Sequence, residues 1–370
     1  MTQSTLLHIF PSFAVGGQQT RFATIANRLG LTVRHHLVSL DGCDQAVALL
    51  DPEIEFALLP PPPPTRHLIR RMRRIVAICR AARYDALVTY NWGAIEFAMA
   101  NSMFVHLPHI HFEDGFGAEE AVRQKSRRVF ARRLVLQQAN LIVPSHTLEE
   151  IASHCWHLPS HHVTYIPNGI DPKRFDGISV SGAPFFARQD GECIIGSFSP
   201  LRREKNLGRL LEVFAGMLAS RVRARLVLCG DGPERAVLMD QADRLGVGDY
   251  VTFTGHVPRP EMVMGAFDLF ALTSDTEQMP YAVLEAMAAR LPVFATDVGD
   301  IAAVVSEANR PFVISPGDQK ALVAAVTRLC SDQTLRREIG FANRAKVELQ
   351  FDIQSMTDAF QRVLLRVVAS

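Results

Sequence analysis

Hydrophobic and polar positions follow two alternating patterns along the chain. Short apolar runs rich in β-branched residues are followed by longer stretches in which apolar residues recur at helical spacing. This alternation predicts βα units that build parallel sheets. In the first half the predicted strands are residues 6–10, 33–40 and 86–90, and the predicted helices are residues 18–30, 66–82, 95–103 and 118–138. Five prolines at 60–64 predict an extended connector.

The alternation starts again near Cys193. The predicted strands there are residues 193–198, 225–229, 251–254, 269–273 and 292–296, and the predicted helices are residues 207–219, 234–246, 281–290, 321–329, 335–349 and 353–368. The two series predict an α/β protein with two doubly wound, Rossmann-like domains facing one another across a cleft. Ligands of such folds bind at the carboxyl ends of the strands.

The composition places the boundary between these domains. Pro, Gly and Ser concentrate in residues 169–183, which we interpret as the link. We therefore assign residues 1–170 to the first domain and residues 171–350 to the second. Residues 351–370 form a C-terminal helix that could cross back to the first domain.

Length and composition exclude several classes of protein. The chain has 370 residues, of which 48% are hydrophobic and 21% charged, which excludes disordered, collagen-like and disulfide-scaffold proteins. Its six cysteines stand singly, without a CxxC pair, and this favours a reducing compartment. No run of 18 apolar residues occurs, and the first ten residues lack a basic segment and a cleavage site. We expect a cytoplasmic protein.

Candidate chemistry concentrates in the segment DTEQMPYAVLEAMA. Pro280 suits the first turn of a helix because it has no N–H to lose there, so we expect the helix to begin just after Met279. Glu277 then lies beside the helix start, where the amides of Met279 and Tyr281 are available, and Glu285 lies inside the helix. Two carboxylates beside an anion-binding helix end suit a sugar joined to a phosphate. On this segment alone, a surface helix with incidental glutamates is the alternative.

Several separated segments resemble motifs of glycosyltransferase family 4, a group of retaining enzymes with the GT-B fold. EQMPYAVLEAMAARLPVFATDVGDI resembles the family's E-x7-E motif, whose usual form is close to EGFPxxxLEAMAxGxPV. SPLRREKN, LVLCGDGPER and FTGHV precede it in the family's order, as do IPNGIDPKRF at the domain junction and PSFAVGGQQTRFATIANRLG near the N-terminus. The resemblance covers nearly all of the chain. It implies a GT-B fold with an acceptor-side first domain and a nucleotide-sugar-binding second domain.

The resemblance also implies roles for individual residues. Glu285 would hold the nucleotide ribose, Glu277 the hydroxyls of the transferred sugar, and Lys205 the diphosphate. The other donor-binding candidates are Gly230 and Gly232, where the backbone approaches the donor; Val257, near the base; the helix-start residues Met279 and Tyr281; and Gly16 and Gly17, which face the diphosphate and the acceptor. Asn168, Gly169 and Asp171 look like hinge residues, for which a simple turn is the alternative.

Three positions depart from the family's pattern. Pro200 stands where the family commonly has an arginine, so another group must meet the phosphate charge. Arg202 or Arg203 is suited to this role, with an exposed, solvated arginine as the alternative. Gln278 replaces the glycine after the first glutamate, which leaves the preferred donor sugar open. Arg290 replaces a later glycine, and we interpret this as a surface change.

A second polar concentration, HIHFEDGFG, follows a predicted strand in the first domain. It resembles the family's HTEHG loop: His111, Glu113 and Gly115 match, and Asp114 replaces the second histidine. We expect Glu113 and Asp114 to orient the acceptor or to act in catalysis, with a solvated acidic loop as the alternative.

Other sites of known type are poorly supported. The glycine-rich first loop is not GxGxxG, no GxxxxGK[ST] occurs, and the histidines near Cys155 fit no zinc spacing. No D-x-D motif is present to hold a metal on a diphosphate. We therefore expect no metal and no cofactor besides the nucleotide-sugar substrate, and transfer that survives chelation.

Arginines form two clusters in predicted helices of the first domain. The first contains Arg66, Arg70, Arg71, Arg73, Arg74, Arg80 and Arg83, and the second contains Arg123, Lys125, Arg127, Arg128, Arg132 and Arg133. Each cluster is compatible with two roles: a solvent-exposed helix face, or a surface that binds anionic lipids at the inner face of the cell membrane. Nucleic acid is a poorer match, because few aromatic residues accompany the arginines and the net charge is only +1.

The sequence thus predicts a retaining glycosyltransferase of hexosyltransferase type. It would move a sugar from a nucleotide-diphospho-sugar to a saccharide or lipid-linked acceptor, in surface polysaccharide or glycolipid synthesis. The alternatives are a GT-B sugar epimerase or phosphorylase, and a carbohydrate- or nucleotide-sugar-binding regulator without turnover.

Overall fold

A computed structural model describes residues 3–116, 120, 124–177 and 188–369. Arg123, Gly117, the start of the predicted helix 118–138 and the end of the predicted linker 169–183 lie outside the described residues. The chain divides into two compact units. The first contains Met1–Asn168 and Ile353–Ser370, and the second contains Gly169–Asp352.

The first unit is built on a seven-stranded parallel sheet with the order β3-β2-β1-β4-β5-β6-β7. Its strands are β1 (Ser4–Phe10), β2 (Val33–Ser39), β3 (Phe56–Leu59), β4 (Ala86–Tyr90), β5 (His109–Phe112), β6 (Asn140–Val143) and β7 (Val163–Tyr165). Its helices are α1 (Gly17–Leu29), α2 (Leu68–Cys79), α3 (Ile95–Ala100), α4 (Ser126–Val135), α5 (His146–His154) and, from the C-terminus, the last helix of the chain (Ile353–Ala369).

Helices cover both faces of this sheet. Successive side chains of a strand point to opposite faces, so the apolar residues of β1 are buried only if each face is covered. Leu6 packs into one cluster with Phe22 of α1 and with Phe360 of the C-terminal helix. Leu7 points to the opposite face and packs with Ile75 of α2. The buried residues of α1 recur at helical spacing from Gln19 to Leu29, which is why the sequence pattern predicted a helix at 18–30. Gly30, with φ 55°, ends this helix.

The second unit has a six-stranded parallel sheet with the order β10-β9-β8-β11-β12-β13. Its strands are β8 (Cys193–Phe198), β9 (Ala224–Cys229), β10 (Val251–Gly255), β11 (Leu269–Leu272), β12 (Val293–Thr296) and β13 (Val313–Ile314). Its helices are α6 (Leu207–Leu218), α7 (Arg235–Arg244), α8 (Glu261–Met264), α9 (Tyr281–Ala288), α10 (Ile301–Val304), α11 (Gln319–Ser331) and α12 (Gln333–Gln350), and the C-terminal helix of the first unit is α13. The prediction of two doubly wound parallel-sheet domains is confirmed.

Each sheet reverses its strand order at one point, between β1 and β4 in the first unit and between β8 and β11 in the second. In sheets of this kind the loops that leave the two strands at the reversal diverge, and ligands bind between them. The loops after β1, β8 and β11 carry Gly16, Lys205 and Glu277. The topology therefore places these predicted site residues at the carboxyl ends of the strands of their own units.

The structure differs from the predicted elements at a few places. The helix predicted at 95–103 ends at Ala100 and is followed by a π-helical turn, Asn101–Val105. The side chain of Asn101 bonds both the amide and the carbonyl of Leu107, which fixes the chain where it leaves this turn. Pro280 precedes α9 as its cap and is not part of its first turn. Within the described residues, no helix is long and apolar enough to cross a membrane.

Candidate functional site

Two loops of the second unit are joined by a polar network at the end of the β-sheet. They follow β8 and β11, which are neighbours in the sheet. The amide of Asp275 donates to Glu204 O at 2.9 Å, and Asn206 Nδ2 donates to Asp275 Oδ1 at 3.0 Å. Arg209 Nη2 also lies 2.7 Å from Asp275 Oδ1. The network holds the loop that carries Lys205 against the loop that carries Glu277.

Lys205 and Glu277 form an ion pair. Lys205 Nζ lies 2.6 Å from Glu277 Oε1, and the same oxygen accepts a hydrogen bond from Ser274 Oγ at 2.7 Å. The Lys205 side chain is 20% exposed and that of Glu277 is 9% exposed. The residue predicted to bind phosphate and the residue predicted to bind the sugar thus lie side by side, which the sequence could not show because they are 72 positions apart.

A third loop, after β12, supports the backbone of Glu277. Gly299 has φ 57°, and a Cβ at this position would overlap the carbonyl of Glu277. The amide of Asp300 donates to Gln278 O at 3.1 Å. The close approach requires glycine at 299, and our sequence analysis missed this supporting role.

Gly230 and Gly232 also make close approaches, to a neighbouring loop. A Cβ on Gly230 would overlap the carbonyl of Ser199, and one on Gly232 would press against the backbone of Leu201. The amide of Leu201 donates to Asp231 O at 3.0 Å. The two glycines therefore let the loop after β9 pack against the loop after β8, while a contact with a donor stays a prediction.

Glu285 lies in α9, five positions after Pro280, and is half-buried. Burial raises the pKa of its carboxyl to about 7, while Arg174 lowers this pKa and Glu261 raises it. No described side chain donates a hydrogen bond to this carboxylate. In its ionised form this carboxylate is suited to accept hydrogen bonds from ligand hydroxyls.

The other candidates of the second unit lie around these groups. Met279 is buried and Val257 is half-buried, and both contribute to one hydrophobic cluster with Leu284 of α9. Tyr281, the first residue of α9, is half-buried. Arg202 is exposed and has no side-chain partner among the described residues.

In the first unit, Gly16 and Gly17 are exposed at the start of α1, with Gly16 as the capping residue in an extended conformation. The carbonyl of Gly16 accepts from the amide of Thr20 at 2.8 Å. The Gln19 side chain of α1 donates to Ser12 O at 2.7 Å and so ties the loop between β1 and α1 to the helix. The two glycines thus form an exposed helix start on an anchored loop.

Glu113, directly after β5, has a different environment from the one predicted. It is fully buried and accepts a hydrogen bond from Arg132 Nε of α4 at 2.9 Å. The Arg132 guanidinium lies between 5.0 and 5.3 Å from the ring centres of Trp92, Phe116 and Trp156. The expectation that Glu113 contacts an acceptor is therefore corrected: its carboxylate points into the protein because α4 supplies a buried cation.

Asp114, unlike Glu113, is partly exposed, and its carboxylate contacts helix α1. Its Oδ1 accepts from Arg21 Nη1 at 2.7 Å, and its Oδ2 accepts from Gln18 Nε2 at 2.9 Å. Its amide donates to Asn91 Oδ1, after β4, at 2.7 Å. Asp114 is 17% exposed whereas Arg21 is only 2% exposed. Asp114 is thus an oriented carboxylate beside the glycines of α1, and neither Arg21 nor Asn91 was predicted.

The remaining predicted positions have local structural partners. Asp171 accepts from the amide of Lys173 at 3.0 Å and so caps the short turn Pro172–Phe175, which agrees with a simple turn. Asn168 is buried. Within the described part of the chain, no three His, Cys, Asp or Glu side chains are grouped so that they could hold a metal ion.

The chain matches two family models. The model described as glycosyl transferases group 1 matches residues 184–346, and the model described as glycosyltransferase family 4 matches residues 15–174. The two matches cover, respectively, most of the second unit and most of the first.

Curated relatives are similar over part of their length. N-acetyl-alpha-D-glucosaminyl L-malate synthase of Bacillus anthracis is 27% identical over 48% of this chain and 47% of its own. The putative teichuronic acid biosynthesis glycosyltransferase TuaC of Bacillus subtilis is 30% identical over 60% of this chain and 54% of its own. The chain thus spans about half the length of these relatives.

A solved structure is similar over the whole fold. Anabaena HepE in complex with UDP-glucose superimposes with a TM-score of 0.82, at 20% identity, over 98% of this chain and 99% of that one. The similarity confirms the predicted fold class. The fold is thus GT-B, and the two family models, over residues 15–174 and 184–346, support a glycosyltransferase family 4-like protein.

Proposed function

We propose that this protein is a retaining glycosyltransferase that moves a sugar from a nucleotide-diphospho-sugar to a saccharide or lipid-linked acceptor. The observation that carries the proposal is the Lys205–Glu277 ion pair, 2.6 Å long, at the strand-order reversal of the second unit. A cation for the diphosphate and a carboxylate for sugar hydroxyls lie together there, on two loops that are joined by the contacts of Asp275. Glu285 supplies a further carboxylate for the ribose.

The chemical step needs stabilisation of the departing diphosphate. The Lys205 ammonium and the start of α9 are fixed positive groups, and such groups act best where charge develops during the reaction. When the diphosphate takes the ammonium as a partner, Glu277 is free to accept from the sugar hydroxyls. We infer attack by the acceptor hydroxyl on the same face of the sugar from which the diphosphate leaves.

HepE was solved with UDP-glucose, so UDP-sugars are the first donors to test, and a surface polysaccharide is the first acceptor class because TuaC is named for teichuronic acid synthesis. Product analysis separates the alternatives. A transferase yields nucleotide diphosphate plus a glycoside, an epimerase yields an isomeric sugar, and a binding protein yields neither. We expect nucleotide diphosphate to appear only when acceptor is present.

The two glutamates are predicted to act on different parts of one donor. Glu285→Gln should weaken the binding of UDP and of UDP-sugar alike, by about 1.5–3 kcal/mol, because a charged hydrogen-bond partner of the nucleotide is lost. Glu277→Gln should slow transfer but spare UDP binding, and it keeps an oxygen for Lys205 to bind. Calorimetric titration and initial rates measure these two effects.

Glu338→Gln is the matched control, because Glu338 is exposed on α12 of the same unit. It should leave both quantities unchanged. If both glutamate variants bind and react as this control does, Glu277 and Glu285 are not donor contacts and the proposed site is wrong.

We also propose that the first unit meets an anionic membrane, through a surface formed by α2 and the π-helical turn Asn101–Val105, which packs against α2. Leu68, Ile69, Met103 and Phe104 are exposed apolar side chains there, and Arg66, Arg70 and Arg73 are exposed beside them. Arg71 pairs instead with Glu96 of α3, at 2.8 Å. Exposed apolar residues flanked by arginines are suited to lipid headgroups.

The second arginine cluster is divided between the interior and the surface. Arg132 is buried and Arg128 contacts Glu120 at 2.7 Å, so these two stabilise the fold. Arg127 and Arg133 are exposed, together with the apolar Phe130 and Leu134 on the same helix. Arg123 lies outside the described residues.

Replacing Arg66, Arg70 and Arg73 by glutamine should weaken binding to anionic vesicles roughly 100-fold, because each arginine near such a surface contributes about 1 kcal/mol. Vesicle sedimentation measures this, and the wild-type interaction should also weaken as salt rises. The control removes the same charge elsewhere, by glutamine at the exposed Arg337, Arg362 and Arg366. Equal sedimentation of wild type with neutral and anionic vesicles would contradict the proposal.

A further inference from the structure

Arg21 of α1 is buried, and most of its guanidinium group is paired. The side chain is 2% exposed. Its Nη1 donates to Asp114 Oδ1 at 2.7 Å, and its Nη2 donates to Ile166 O at 2.9 Å. Its Cζ lies 5.0 Å from the ring centre of Phe112. The remaining donor, Nε–H, is buried and has no hydrogen-bond partner within the described part of the chain.

A buried chain of three polar side chains crosses the same sheet, on its neighbouring strands β2, β1 and β4. His8 Nδ1 lies 3.1 Å from Tyr90 Oη, and His8 Nε2 lies 3.0 Å from His35 Nδ1. Burial lowers the pKa of both imidazoles, that of His35 to about 4, so both rings are neutral near pH 7. The far nitrogen of the chain, His35 Nε2, is buried and also has no partner among the described residues.

One small cavity brings these unpaired atoms together. Arg21, His35 and Tyr90 line it, together with apolar side chains that include Phe22 and Ile25. The space open to the centre of a water molecule is about 10 Å³, which is enough for one water. A purely apolar cavity stays dry, whereas a cavity with two to four polar groups holds a water. The guanidinium, the imidazole and the phenol supply such groups here.

We propose that this cavity binds one water molecule, which accepts a hydrogen bond from Arg21 Nε–H and donates one to His35 Nε2. An unpaired donor on a buried cation costs more free energy than the immobilisation of a single water. A water that accepts from a cation is a stronger donor, because hydrogen bonds in a chain polarise one another. The charge of Arg21 therefore sets the direction of the chain.

This direction assigns a tautomer to each histidine. His35 carries its proton on Nδ1 and donates to His8 Nε2. His8 then also carries its proton on Nδ1 and donates to Tyr90 Oη. Because Arg21 orients Asp114, the water links this carboxylate, through Arg21, to the interior of the sheet.

A crystal structure of the wild-type protein, at a resolution that shows ordered water, tests the site directly. We expect one water within hydrogen-bond distance of both Arg21 Nε and His35 Nε2. In solution, two-bond ¹⁵N–¹H correlations show which ring nitrogen carries the proton. The two rings are identified by their loss in His8→Asn and His35→Gln, and both should be Nδ1–H tautomers in the wild type.

His35→Phe removes the acceptor and should lose the water. His36→Phe is the matched control and should keep it, because His36 points to the opposite face of β2, where it lies 3.2 Å from Tyr84 Oη. The wild-type measurements decide the inference even where a variant does not fold.

A wild-type cavity without water, a His35 ring protonated at Nε2, or a water retained in His35→Phe would each overturn the inference. The outcome is independent of the proposed function. A bound water in a protein whose Asp114→Asn variant transfers sugar at the wild-type rate supports the inference and contradicts only the expected role of Asp114.

Discussion

Replacing Asp114 by asparagine is expected to slow sugar transfer by about 10²–10⁴-fold, the usual contribution of general acid–base assistance, while donor affinity stays unchanged. Arg21 and Gln18 orient the Asp114 carboxylate at 2.7 and 2.9 Å, and it remains 17% exposed. A carboxylate held in this way can accept a hydrogen bond from an attacking hydroxyl and fix its direction. Asparagine keeps the shape and one acceptor oxygen but removes the charge.

Initial rates at saturating donor, together with calorimetric donor binding, measure the two quantities separately. Asp44→Asn is the control, because Asp44 is an exposed aspartate of the same unit without a side-chain capping bond. A melting curve of each variant shows whether the loss of the Arg21 partner affects folding. Wild-type transfer rates for Asp114→Asn between about pH 5 and pH 9 would mean that Asp114 only anchors a turn.

Breaking the buried Glu113–Arg132 pair is expected to destabilise the protein by about 3–5 kcal/mol. Arg132→Met leaves the buried Glu113 carboxylate without its cation, and Glu113→Gln leaves Arg132 with only the more distant carboxylate of Glu120, at 3.8 Å. Both side chains are at most 1% exposed, and Arg132 lies among three aromatic rings. Glu113→Gln and Arg132→Met should each lower the melting temperature by roughly 10 °C. Calorimetry measures the shift.

The double variant Glu113→Gln/Arg132→Met should recover part of the loss, since no charge is then left unpaired. Arg133→Met is the matched control, because Arg133 is exposed on the same helix, and it should melt as the wild type does. Single variants with wild-type melting temperatures would refute the importance of this pair.

Local patterns predicted the regular elements closely where the elements are long or fully buried. The strand predicted at 193–198 is Cys193–Phe198, and α1 ends at Gly30 as its glycine indicated. The strands β3, β6, β7 and β13, with two to four residues each, were not predicted, because a periodicity is hard to recognise over so few positions.

The environment of each site residue was less accessible from the sequence. Glu113 and Asp114 are adjacent acidic residues and were predicted to act together, yet one is buried against Arg132 and the other faces Arg21. Neighbouring residues that leave a strand point to opposite sides, so each meets a different helix. Nothing in the local pattern identifies which helix supplies the cation.

The sequence by itself determined the repeated βα pattern of both domains, a helix that begins beside Pro280, and the spacing that places Glu277 before α9 and Glu285 within it. These features depend on residues near one another in the chain. Only the tertiary structure decided that Lys205 pairs with Glu277, 72 positions away, that Arg21 pairs with Asp114, 93 positions away, and that the turn Pro172–Phe175 packs against α9. Such contacts follow from strand order, which brings β8 beside β11, and strand order is set by the packing of the whole sheet.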